Sequence, residues 1–137
     1  MTQRGSRAHP VFLDLRRIRQ PVTAVVSLGH RVSGVILVLL VPGLAWLLQQ
    51  SLRGPDSFAD ITALLSRPAA RVTLVLLVWA LAHHVLAGIR HLLFDIHVAT
   101  GPPHRPDHLR AVQPRVTAWM VLAGELIVVL LTMAVLA

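Results

Sequence analysis

Three long apolar runs alternate with polar stretches along the 137-residue chain. The first goes from about 22 to 50, the second from about 69 to 95, and the third from about 116 to 137. Each reaches the roughly 20 residues a helix needs to cross a bilayer. Neither strand-like alternation nor an internal repeat interrupts the pattern. Pro21, Pro68 and Pro114 stand at or just before the three starts. Proline suits the first turn of a helix, where its missing N–H costs nothing. Pro42-Gly43 lies inside the first run, and membrane helices tolerate such a pair, with a kink. The intervening segments, Ser51 to Pro68 and Thr100 to Gln113, look like polar connections. The predicted fold is an all-α membrane protein: one domain, 1–137, of three transmembrane helices in an up-down bundle.

Composition agrees. Hydrophobic residues make up 55% and charged residues 14%, against about a quarter charged in soluble domains. All thirteen basic residues are arginine. They flank the spans and build no basic aromatic face, so a nucleic-acid partner is excluded. With no cysteine, thiolate metal sites and thioether attachment of haem through this chain are excluded too.

Arginine placement predicts the orientation. Arg4, Arg7, Arg16, Arg17 and Arg19 precede the first span, and Arg105, Arg110 and Arg115 lie in or beside the second connection. On the opposite side are Arg53, Arg67 and Arg71. Eight against three puts residues 1–21 in the cytoplasm, with a mature N-terminus.

The polar residues inside the spans carry the functional signal. Ser27, His30, Arg31 and Gly34 share one helical face by their spacing, and so do His84, Gly88, His91 and Asp95. His83, Arg90 and His97 form a neighbouring stripe. At about 1.5 Å per residue, His30 lies roughly 12 Å and His84 roughly 15–17 Å from the cytoplasmic ends of their spans. Glu125 reaches about 15 Å on the same arithmetic. Polar groups of three helices are therefore expected at one depth. A neutral imidazole at that depth suits haem iron, and a glycine one turn away would let a flat macrocycle approach. Arginine supplies a fork for propionates, and a serine–arginine pair suits a quinone oxygen. Plainer roles stand beside these. A histidine can simply pack, Arg90, His91 and His97 can snorkel, Glu125 can bond a neighbouring helix, and Ser33-Gly34 can be a small-residue contact.

Ser27-Leu28-Gly29-His30-Arg31-Val32-Ser33-Gly34 resembles the S-x-x-H-R-x-S-G signature of the cytochrome b membrane anchor subunits of bacterial succinate dehydrogenase, respiratory complex II. His84-Val85-Leu86-Ala87-Gly88-Ile89-Arg90-His91 resembles their second signature, H-x-x-x-G-x-R-H, with Asp95 after it. The lead His9 to Leu15 is also similar, so the resemblance covers nearly the whole chain. It implies that His84 is an axial ligand of haem b, and that Ser27 and Arg31 line a ubiquinone site with Asp95 near its entrance. It further implies that His30, Arg31, His91 and Gly88 belong to the haem surroundings.

The implied partners are a second three-helix anchor subunit giving the other axial ligand, an iron–sulfur subunit, a flavoprotein subunit and membrane lipid. Association of three such heterotetramers is compatible with it. The implied place is the bacterial inner membrane, multi-pass. Beyond His9, which stands where arginine is usual, two positions depart from the family pattern: Gly29 replaces a larger apolar residue, which would loosen the quinone pocket, and Glu125 has no counterpart. His83, beside His84, is a second candidate ligand, and the Gly88 spacing favours His84. A fumarate reductase anchor, a small transporter or channel subunit with a buried His/Arg relay, and a cofactor-free structural anchor are the rival functions. The outer halves of the spans are apolar, which argues against a path through the membrane.

Overall fold

A computed structural model describes residues 19–95 and 114–136. Four helices account for nearly all of them: α1 (Val22–Ser51), α2 (Pro55–Leu65), α3 (Pro68–Asp95) and α4 (Pro114–Leu136). Three are long and apolar enough to span a membrane. No strand occurs among the described residues. The arginines at 4, 7, 16, 17, 105 and 110, the lead at 9–15 and His97 lie outside the described residues.

Proline marks the starts. Pro21 precedes the first turn of α1, and Pro55, Pro68 and Pro114 open α2, α3 and α4. Pro42 sits within α1 without ending it.

The expectation of a plain polar connection from Ser51 to Pro68 is corrected by α2. Pro55 fixes its first turn and Asp56 complements its N-terminal dipole. Phe58, Ile61 and Leu65, at helical spacing, join Leu44, Leu47, Leu48 and Leu74 along a groove between α1, α2 and α3. A short amphipathic helix thus covers the ends of two spans, in place of the polar connection expected there.

α3 packs antiparallel to both α1 and α4. Arg71, near the start of α3, donates to the Leu136 carbonyl at the end of α4. Arg90, near the end of α3, bonds residues at the start of α4. Val26, Ala87, Ala118 and Val121 form the buried core, and Ala80 is also fully enclosed. Small residues dominate because lipid offers no hydrophobic driving force between helices, so close van der Waals approach must hold them. Most large apolar side chains face outward; Leu39 is 72% exposed. Such a surface requires hydrocarbon or another subunit around it.

Enlarging Ala87 should be costly, since its side chain sits where α3 meets Val26 of α1 and the α4 core. Ala87→Leu is expected to destabilise the bundle by about 1–3 kcal/mol through overpacking. Gly124→Ala should be nearly neutral, because its new methyl meets only the mobile end of Leu86 at 3.0 Å. Thermal unfolding midpoints in detergent distinguish the two.

Candidate functional site

His84 is built into the α1–α3 contact. Its Nδ1 lies 3.1 Å from the backbone carbonyl of His30. A carbonyl can only accept, so Nδ1 carries the proton and donates. The other ring nitrogen, Nε2, is then the one with the lone pair. Among the described residues it has no hydrogen-bond partner, and no buried polar atom lacks one; Nε2 is therefore accessible. Ser33, fully buried, donates its hydroxyl to the same His30 carbonyl at 2.9 Å and lies 3.4 Å from Nδ1. Sequence reasoning treated Ser33 as a small-residue contact. Its position three residues after His30 is the signal that it closes back on that carbonyl.

The rings of His30 and His84 stack, with centroids 4.2 Å apart and planes 13° from parallel. His91 meets His30 edge-on at 5.2 Å. His30, Arg31, Gly34 and His84 line an open groove of about 640 Å³. Its remaining walls are Val35, Leu37, Val38 and Leu39, so apart from His84 the lining comes from α1. Arg31 is exposed at this groove. Ser27 is half-buried one turn before Arg31, and Asp95 is exposed at the end of α3. Neither makes a side-chain bond among the described residues. The structure thus brings His30, Arg31, His84 and His91 together, and leaves Asp95 outside the groove.

A Cβ at Gly88 would lie 3.4 Å from His30 Nε2, in ordinary contact with that ring. The glycine against His84 is Gly34, whose Cβ would lie 3.1 Å from Cε1. The stack covers a face of the His84 ring. Ligation of a metal uses the lone pair in the ring plane, so this stack and an Nε2–iron bond are compatible. An accessible, neutral Nε2 beside an apolar groove with an arginine on its rim fits the donor chemistry of b-type haem.

The neighbouring stripe turns toward α4. Arg90, expected to snorkel, is only 7% exposed. Its Nε donates to Thr117 Oγ1 at 3.0 Å and its Nη2 to the Pro114 carbonyl at 3.2 Å, with the guanidinium over the Phe94 ring. The start of α4 offers acceptors closer than the surface does. His83 is 3% exposed. Its Nε2 donates to the Val26 carbonyl at 3.2 Å and its Nδ1 bonds Glu125. Both nitrogens of His83 are engaged within the bundle, whereas His84 keeps one accessible. Gly29 does not loosen the site, because its space is filled by the His83 ring.

A family model described as Succinate dehydrogenase/Fumarate reductase transmembrane subunit matches residues 6–132. The chain belongs to this family. It is similar to the succinate dehydrogenase cytochrome b556 subunit of Coxiella burnetii, with 35% identity over 88 residues, 64% of this chain and 70% of the relative. It is also similar to the subunit of that name from Paracoccus denitrificans, with 28% identity over 132 residues, 96% of this chain and 93% of the relative. The protein is thus a multi-pass cytochrome b anchor subunit of succinate dehydrogenase in the bacterial inner membrane. The resemblance drawn from the two signatures is borne out at the level of the family.

In this anchor, the Arg90 bonds predict a stability effect separable from cofactor binding. Arg90→Met keeps the apolar stem and removes both bonds; it should cost about 1–2 kcal/mol, and Thr117→Val about 0.6 kcal/mol. Thermal midpoints of the purified anchor check the ranking.

Proposed function

We propose that this chain fastens a succinate:quinone oxidoreductase to the membrane and supplies His84 as one axial ligand of a haem b. The observation that carries this is the His84 Nδ1–H bond to the His30 carbonyl, which leaves Nε2 unengaged on a residue that lines the groove with Arg31. A carbonyl behind a metal-binding histidine fixes its tautomer and ring orientation and raises its basicity. The cytochrome b556 names of the two relatives support a b-type haem. Bound there, such a haem takes up and returns one electron at a time.

One histidine of this chain would hold the iron, and a second three-helix anchor subunit would supply a further ligand and complete the groove. His30 and Arg31, with His91 against His30, would give the haem its polar surroundings. Ser27 and Arg31, one turn apart on α1, hold the oxygens of ubiquinone, and Asp95 lies toward its entrance. As a quinone oxygen gains negative charge, the Arg31 guanidinium stabilises it. The iron–sulfur subunit, itself bound to the flavoprotein, docks at the cytoplasmic side, where residues 1–21 lie. Succinate is oxidised on the flavoprotein, and electrons pass through the iron–sulfur subunit to the quinone.

The decisive measurement is the dithionite-reduced minus oxidised absorption spectrum of the purified complex. A b-type signal is expected in the wild type, and its loss or a strong shift in His84→Leu. An assembled wild-type complex without haem would refute the assignment.

Arg31→Leu should lower succinate–quinone reductase activity about 10²-fold, the scale of removing one oxyanion donor. Succinate oxidation with a water-soluble acceptor should stay at the wild-type rate. A parallel fall of both rates would place the defect in assembly and not at the quinone.

A further inference from the structure

Three positions stood apart in the sequence: Gly29 and Glu125 as departures from the family pattern, and His83 as a rival to His84. In the structure they are one unit. His83 Nδ1 bonds Glu125 of α4, and His83 Nε2 donates to the Val26 carbonyl of α1. With the Nε2 proton committed to that carbonyl, a second proton must lie between Nδ1 and the carboxylate, or two lone pairs would face each other. The pair is therefore neutral overall, as a group deep in the membrane needs to be. His83 is 3% exposed and the Glu125 side chain 13%.

Gly29 completes the unit. A Cβ at this position would lie 2.5 Å from His83 Nε2 and 2.8 Å from Cε1. The ring cannot swing away, because Glu125 and Val26 hold both its nitrogens. Gly29 is thus the socket that admits the ring.

Adjacent histidines of α3 grip two carbonyls one turn apart on α1: His83 holds Val26 O, and His84 holds His30 O. Each ring also lies over a glycine of α1, Gly29 and Gly34 respectively. One contact alone would leave α3 able to rotate or slide on α1. Two contacts on successive turns fix both its rotation and its depth. Glu125, from the third helix, locks the first contact and so holds the second.

We infer that His83 and Glu125 are positioning residues that set the orientation of the His84 imidazole through the register of α3 on α1. The inference rests on His84 being the haem ligand, as proposed above. Glu125 acts as a bolt across three helices, and His83 transmits its hold to the neighbouring residue.

The test uses the whole complex purified from membranes, wild type beside Glu125→Gln and Glu125→Leu. It reads haem per complex and the low-field EPR resonance of the oxidised haem, which reports the orientation of the axial imidazoles. Glu125→Gln can still bond His83 and should keep the wild-type resonance and haem content. Glu125→Leu should shift the resonance and lower haem per complex at least twofold. A Glu125→Leu complex with the wild-type resonance would overturn the inference, whether or not haem is partly lost, since a general loosening would not leave His84 oriented as before.

Should Glu125→Leu not assemble, Gly29→Ala and the double variant Gly29→Ala/His83→Ala decide. The single change should prevent haem incorporation, and removing the ring should restore haem with a shifted resonance. A double variant no better than the single one, or one with the wild-type resonance, would overturn the inference. A wild-type complex with no haem at all would instead remove the ligand assignment on which it rests.

Discussion

Inside a bilayer a ring N–H has no water to fall back on, and the bond from His84 to the His30 carbonyl answers that constraint. The acceptor is the backbone carbonyl of His30, which the Ser33 hydroxyl also bonds. Satisfying the N–H there fixes the tautomer, and the tautomer decides which nitrogen keeps its lone pair. It also decides where α3 can sit, since the bond crosses from one helix to another. The proximity of Gly34 and the burial of Ser33 follow from the same approach of the ring to the α1 backbone. Chemistry and packing are therefore not separable at this contact.

The two stripes of α3 divide the work. One carries His84, Gly88 and His91 toward α1, where rings stack and a nitrogen stays accessible. The other carries His83 and Arg90 toward α4, where each side chain finds protein acceptors. Lipid drives helix association weakly, so interhelical hydrogen bonds and close contacts between small residues carry more of the burden than they would in water. The α4 side is accordingly polar where it matters and small elsewhere, with Ala118 and Val121 in the core.

Much of this was legible in the sequence, for a physical reason. Residues three, four and seven apart on a helix share a face whatever else surrounds them, so the faces of Ser27, His30, Arg31 and Gly34 and of His84, Gly88 and His91 could be read directly. Depth arithmetic brought Glu125 to the level of the histidines. It could not say that the partner would be His83, because helix rotation about its own axis is set by neighbours and not by rise per residue. The role of Gly29 was hidden for the same reason: what fills a glycine's space comes from another helix. The neighbour of Gly88, the His30 ring, likewise arrives from α1. The helix α2 was legible but passed over. Phe58, Ile61 and Leu65 carry its period, within a segment that also holds Arg53, Asp56, Asp60 and Arg67.

The groove at His84 is open, and its floor comes almost entirely from one helix. Its apolar residues, Val38 and Leu39 among them, project outward beside the polar His30 and Arg31. A transporter would need polar groups continuing toward the other end of the bundle. There the groove between α1, α2 and α3 is lined by Leu40, Leu44, Leu47, Leu74 and Leu77, with Thr73 as its sole hydroxyl. That hydroxyl is already committed to the Ala69 carbonyl. The polar cluster therefore does not continue into that groove. A surface that mixes imidazole, guanidinium and exposed aliphatic side chains is stable in the membrane only when another surface completes it. Being incomplete is thus the property that makes this chain a subunit, and it follows from the same residues that give the site its chemistry.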